Sequence, residues 1–184
     1  YKSVLGKLMT NGGFNVSLIN CNMTDTTIKN ESSIWERLFP RKYQRNINIK
    51  QTLVQISNSF LTIKDSEFKL ITTTPYHGAV LINATENSTI NIIDSYFVNN
   101  TGFYGLMYFG KHCEVYVINS VFIGNKAVAS SDPVGGGCFK LGHNVTIAIN
   151  GSRFVSNSAA SGGALGTSQA GDIHIYTSLF VHNI

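Results

Sequence analysis

One octet returns five times along this chain, and it dictates the architecture more strongly than any other feature. The pattern apolar-x-apolar-x-[Asn/Asp/Gly/Thr]-Ser-x-Phe reads LTIKDSEF at 61–68, INIIDSYF at 90–97, VYVINSVF at 115–122, IAINGSRF at 147–154 and IHIYTSLF at 173–180. VSLINCNM at 16–23 is a weaker sixth copy. The aromatic positions Phe68, Phe97, Phe122, Phe154 and Phe180 follow one another at steps of 29, 25, 32 and 26 residues. A period of this size is the mark of a solenoid, in which each repeat is one supersecondary unit stacked on the next. The strict alternation at the start of each octet is that of a strand with one buried face, so Ile92, Val117, Ile149 and Ile175 point one way.

A second strand precedes each octet and begins at a glycine: Gly78, Gly105, Gly137 and Gly163. From that glycine to the next octet the count is 10 residues in three copies and 12 in the copy led by Gly78. Two strands and a turn at fixed spacing, with variable length elsewhere, describe one coil per repeat. Glycine is expected where such a coil turns sharply or lies against other backbone. After each Phe, FVNN, FIGN, FVSN and FVHN place Asn100, Asn125, Asn157 and Asn183 in register. These predict an asparagine ladder beside an aromatic stack of Phe97, Phe122, Phe154 and Phe180. Ile71 takes the Asn place in the 61–68 copy, where the ladder should end.

The paired phrases GGAL at 162–165, GGGCF at 135–139, HGAVL at 77–81 and the FxxN phrases resemble the GGA[I/L/V]/FxxN repeats of the polymorphic outer membrane proteins of chlamydiae. They are also similar to repeats of other pectin-lyase-like, right-handed parallel β-helices. The resemblance covers roughly residues 53–184 and implies an all-β, right-handed parallel β-helix, here of about six coils. It also implies, as one reading of function, the passenger segment of an adhesin or autotransporter. An antiparallel sandwich is the competing fold, but it gives no reason for Ser-x-Phe-x-x-Asn to recur in register.

Residues 24–52 interrupt the repeat. Ser33 and Glu36 form a capping-box pair ahead of Pro40, which predicts a short helix in this insertion or flap. The segment carries Trp35 and the basic residues Arg37, Arg41, Lys42 and Arg45, a composition suited either to closing one side of the coil stack or to docking a partner. Residues 29–50 account for the whole formal charge of +4, so no basic stripe runs along the chain and a nucleic-acid partner is not expected. No apolar run is long enough to span a membrane. All of 1–184 reads as one domain, and the chain reads as a piece of something longer.

The outward positions of the octets, Thr62, Asn91, Tyr116, Ala148 and His174 with Lys64, Ile93, Ile118, Asn150 and Tyr176, bring no stack of carboxylates together. Asp65 and Asp94 share one position in consecutive copies and read as turn-capping residues, with a cation site or a carboxylate pair as the alternatives. The five histidines fall at unrelated positions; by register His112 and His143 could neighbour each other. No cofactor, metal or enzymatic activity is expected. Cys21, Cys113 and Cys138 show no metal spacing and read as free thiols.

Eight Asn-x-Ser/Thr sequons occur, at Asn15, Asn22, Asn30, Asn83, Asn87, Asn99, Asn144 and Asn150. The 19 Asn and 33 Ser plus Thr would give about three by chance, so an extracellular or cell-surface glycoprotein is expected. Asn83, Asn87 and Asn144 are expected in loops or turns and make the best acceptors. The expected function is a non-enzymatic scaffold, stalk or filament building block, with a carbohydrate-binding β-helix as a further alternative. Its expected partners are further coils of the same chain or neighbouring copies, met through the coil ends, and glycans.

Overall fold

The computed structural model describes residues 8–24, 27–28, 52–73, 79, 81–128, 135–167, 169 and 171–184. Every paired strand among them is parallel to its neighbours, and the fold is an all-β parallel β-solenoid. The first coil holds β1 (Leu8–Asn11), β2 (Asn15–Ile19), β3 (Asn22–Thr24) and β4 (Thr27–Ile28). The second holds β5 (Val54–Ser57), β6 (Phe60–Lys64), β7 (Glu67–Lys69) and β8 (Thr72–Thr73). β9 (Ile82–Glu86), β10 (Thr89–Ile93), β11 (Tyr96–Val98) and β12 (Thr101–Gly102) form the third. β13 (Met107–Lys111), β14 (Glu114–Ile118), β15 (Val121–Ile123) and β16 (Lys126–Ala127) form the fourth. The fifth has β17 (Phe139–Leu141), β18 (Thr146–Asn150) and β19 (Arg153–Val155), and the sixth β20 (Leu165–Thr167), β21 (Ile173–Tyr176) and β22 (Leu179–Val181).

Like strands stack on like strands. Sheet A runs β1-β5-β9-β13-β17-β20, sheet B runs β2-β6-β10-β14-β18-β21 and sheet C runs β3-β7-β11-β15-β19-β22. Sheet D has only β4-β8-β12-β16. Four coils are therefore complete, not six; the last two contribute to three sheets each. No helix occurs among the described residues. Thr24 closes β3 and Thr27–Ile28 is β4, so the start of the expected 24–52 insertion belongs to the first coil. Ser33, Trp35, Glu36, Arg37, Pro40, Arg41, Lys42 and Arg45 lie outside the described residues.

The core is a set of columns running along the stack. Leu61, Ile90, Val115 and Ile147 form one, Ile63, Ile92, Val117 and Ile149 the next, and all eight are buried. Phe68, Phe97, Phe122, Phe154 and Phe180 stack face to face with centroids 5.3, 4.7, 4.6 and 4.6 Å apart. A strand spacing near 4.8 Å brings like side chains to stacking distance automatically, which is why one residue type can recur in a column. From sheet A, Phe139 meets Phe122 and Phe154 edge-on at 5.0 and 5.6 Å and closes the core.

The glycine phrase and the residue after each FxxN phrase meet at close backbone range. A Cβ on Gly137 would run into the backbone of Gly163 and Ser158, and one on Gly163 into that of Asn183 and Ile184. Each glycine thus abuts the residue that follows a ladder asparagine. Gly78 lies outside the described residues; in its copy Ile82 pairs with Met107.

Candidate functional site

Most corners between sheets turn on a single left-handed residue, the first corner using both Gly12 and Gly13. Among the described residues thirteen non-glycine residues have positive φ, and all of them fall at three corners. Asn58, Asn87, His112 and Asn144 stand between sheets A and B; Asn20, Asp65, Asp94, Asn119 and Thr177, joined by Gly151, stand between B and C. Leu70, Asn99, Ser156 and His182, joined by Gly124, follow sheet C. Asn and Asp tolerate this conformation better than other side-chain-bearing residues, which explains their frequency there.

The residue after a corner turns inward, and where it is Ser or Asn it bonds along the stack. The backbone N–H of Ser66 donates to Ser95 Oγ at 3.2 Å, Ser95 to Ser120 at 3.2 Å, Ser120 to Ser152 at 3.1 Å and Ser152 to Ser178 at 3.1 Å. Each hydroxyl in turn donates to the carbonyl two residues back, as Ser95 does to Ile93 O at 2.7 Å. At the third corner Asn125 Nδ2 donates to Phe97 O and to Asn157 Oδ1, both at 3.0 Å. Asn125 Oδ1 accepts from Asn100 Nδ2 at 2.9 Å and from the Asn100 N–H at 3.2 Å. Asn157 and Asn183 repeat the arrangement, with Asn157 Nδ2 on Asn183 Oδ1 at 2.9 Å. The ladder ends at Ile71, whose N–H donates to Asn100 Oδ1 at 3.0 Å.

A second serine column was not foreseen. The Ser59 N–H donates to Ser88 Oγ at 3.3 Å, and Cys113 takes the next place. Its signal was the Asn-Ser pair two residues ahead of the octets at 58–59 and 87–88. All three cysteines are free thiols, with Cys113 and Cys138 buried. Burial pushes the Cys138 thiol well above its ordinary value, slightly offset by Asn125 Nδ2 at 3.9 Å. Burial also raises the Cys113 thiol.

The sequon asparagines divide by placement. Asn87 and Asn144 are exposed at the A–B corner, and Asn87 Nδ2 donates to Asn58 Oδ1 at 3.1 Å. Asn99 is exposed at its corner, with its side chain lying over Gly124, where a Cβ would collide with it. Asn150 is exposed at the end of β18 and accepts from Thr177 Oγ1 at 2.7 Å. Asn15 and Asn22 are exposed in β2 and β3. Asn83 is not in a loop: it lies within β9, is 3% exposed and leaves its Oδ1 without a hydrogen-bond partner. Ile82 and Ala84 supply the inward face there, so the strand continues through Asn83 instead of ending before it. Asn30 lies outside the described residues.

Asp65 and Asp94 are exposed corner residues, and Asp65 Oδ2 pairs with Lys64 Nζ at 3.9 Å. Their conformation accounts for their presence at one position. His112 and His143 do come together, with ring centroids 6.1 Å apart and the His112 N–H donating to His143 O at 3.1 Å. Among the described residues no three His, Cys, Asp or Glu side chains converge. Tyr116 and Tyr176 are exposed on the outer face of sheet B, and Glu114 raises the Tyr116 hydroxyl above its ordinary value. No helix among the described residues is long and apolar enough to cross a membrane.

Compared with known proteins, the chain matches no family model and no curated protein.

Proposed function

We propose that this solenoid is a non-enzymatic, extracellular structural or surface-display module that carries N-linked glycans on its corners. The observation that carries the reading is the placement of Asn87 and Asn144. Both are sequon asparagines, both are exposed, and both occupy the left-handed corner residue between sheets A and B. One rung, His112, separates them, so their Cα atoms stand about 10 Å apart along one edge. A glycan at such a corner projects away from the coil and disturbs neither the strands nor the inward ladder. The kinship with polymorphic outer membrane and pectin-lyase-like repeats belongs to the same proposal and rests on the GGAL and FxxN phrases.

A carbohydrate-binding role is the second reading; stacked outward aromatics would favour it, but Tyr116 and Tyr176 lie in different columns two coils apart and are too scattered to count. Glycopeptide mass analysis of native material separates these readings from the adhesin or autotransporter passenger. HexNAc on Asn87 and Asn144, with Asn83 bare, is the expected result. Bare asparagines at all eight sequons would overturn the glycoprotein reading and put the bacterial passenger first.

A further inference from the structure

A strand with one buried face ordinarily puts polar side chains on the other. The central strands of sheet C do not. Phe97, Phe122 and Phe154 point inward, while Tyr96 and Val98 of β11, Val121 and Ile123 of β15 and Val155 of β19 all point outward. Tyr96 is 52% and Ile123 38% exposed, and the three valines are half-buried. This apolar face is also flat. The phenylalanine rings beneath it are tilted by only 4–6° from one coil to the next, whereas neighbouring strands of most sheets twist by about 20°. Charge stands at its two ends. Register puts Glu67 one rung before Tyr96 and Arg153 one rung after Val121. Glu67 pairs with Lys69, and Arg153 is exposed with no ion pair among the described residues.

We propose that the outer face of sheet C docks against the same face of a second copy of this chain, across a two-fold axis that runs along the strands between β11 and β15. Rotation about that axis reverses the order of the rungs and keeps the direction of the strands. Tyr96 then faces the second copy's Val121, and Val98 faces its Ile123. Glu67 faces the second copy's Arg153, and each of these contacts occurs twice, as an isologous interface requires. Large stands against small in the first pair, and the lone guanidinium gains a carboxylate. Two flat sheets can approach in this way to about 10 Å. Six rungs about 4.8 Å apart and a three-residue strand with its borders give a footprint of roughly 400 Å² on each copy. That corresponds to a total on the order of 1,000 Å² of accessible surface, the low end for a specific contact. The expected association is therefore weak, in the micromolar range, and the exposed ion pairs set its register more than its strength. The contact does not depend on secretion: Asn87 and Asn144 stand at the A–B corner, away from this face, with or without glycans.

Sedimentation equilibrium of the full chain is the test, and a monomer–dimer equilibrium without larger species is expected. Ile123→Lys places an ammonium group in the apolar centre and should weaken the dimer by at least about tenfold. Glu67→Arg and Arg153→Glu each set like charges opposite one another and should weaken it by about fivefold. The double variant Glu67→Arg/Arg153→Glu restores opposite charges across the axis and should recover most of that loss. All four positions are on the outer face, and circular dichroism checks that each variant keeps its fold. A monomer up to millimolar concentration, a dimer indifferent to Ile123→Lys, open-ended polymers, or charge effects that add in the double variant instead of cancelling would each overturn the proposal. So would a glycan on Asn99 of native material, because Asn99 follows Val98 directly and its sugar would occupy the face.

Discussion

Replacing Asn125 by Ala removes the middle of the asparagine ladder, and its cost can be worked from the bonds at that rung. The side chain is fully buried and, besides the long contact of its Nδ2 with Cys138 Sγ, makes four hydrogen bonds: two donated, to Phe97 O and Asn157 Oδ1, and two accepted, from the N–H and Nδ2 of Asn100. Asn157 Oδ1 keeps the Asn125 N–H, so that acceptor is not orphaned. The two Asn100 hydrogens are, and Asn100 is itself only 1% exposed. A buried donor left unpaired costs about 1–3 kcal/mol, so the substitution should destabilise by roughly 3–6 kcal/mol once the lost Phe97 contact is included. That is a large share of the roughly 5–15 kcal/mol that a domain has in total. The same change at Asn183 should cost only about 1 kcal/mol, because that residue is half-exposed and water can serve its partners. Urea unfolding of the two variants, followed by circular dichroism, measures the difference. Hydrogen exchange at the Asn100 amide reports the rung itself, since a stacked solenoid can open locally without global unfolding. Equal losses for Asn125→Ala and Asn183→Ala, or an unchanged Asn100 exchange rate, would refute the argument that the ladder is a main source of stability.

Gly137→Ala should destabilise by about 3 kcal/mol, because the added methyl meets backbone that cannot yield, whereas Gly135→Ala should be neutral or slightly stabilising, its nearest neighbour being Ala127 Cβ at 4.0 Å; thermal melts of both check this. Stability should also fall in alkali. The Cys138 thiol stays protonated in the fold while the unfolded chain ionises above the ordinary value of 9.0, so stability is intact below that pH and declines above it. The slope is about 1.4 kcal/mol per pH unit for each such thiol, and Cys138→Ala should lose that share of the slope when unfolding is compared at pH 8 and pH 10.

The parts of this fold that could be read from the chain are those in which one residue type does one job in every coil. Ser66, Ser95, Ser120, Ser152 and Ser178 recur because each takes the same N–H from the coil before, and the phenylalanines recur because each stacks on its equal. The number of complete coils was not legible. Sheet D is built from two-residue strands such as Thr72–Thr73 and Lys126–Ala127, too short for any periodicity to form. The Ser59–Ser88 column escaped notice because Cys113 and Val145 replace serine in the following coils, so that the position holds no single residue type. Asn83 misled because sequons favour loops in general. Its strand was hidden by the small Ala84, which occupies an inward position that a larger aliphatic residue would have advertised.

The one-way ladder also bears on how such a chain is made. Synthesis proceeds from the amino end, and the N–H groups of Ser66, Ser95, Ser120 and Ser152, like those of Asn100, Asn125 and Asn157, wait on side-chain oxygens of a coil yet to be translated, while bonds such as Leu179 N–H to Ser152 O look back to the coil already made. A nascent coil can thus satisfy its own corners only when the next has emerged, and the finished portion always trails the growing end by one turn. The serine and asparagine ladders of such a chain are thus completed in the order of synthesis, one turn behind the growing end.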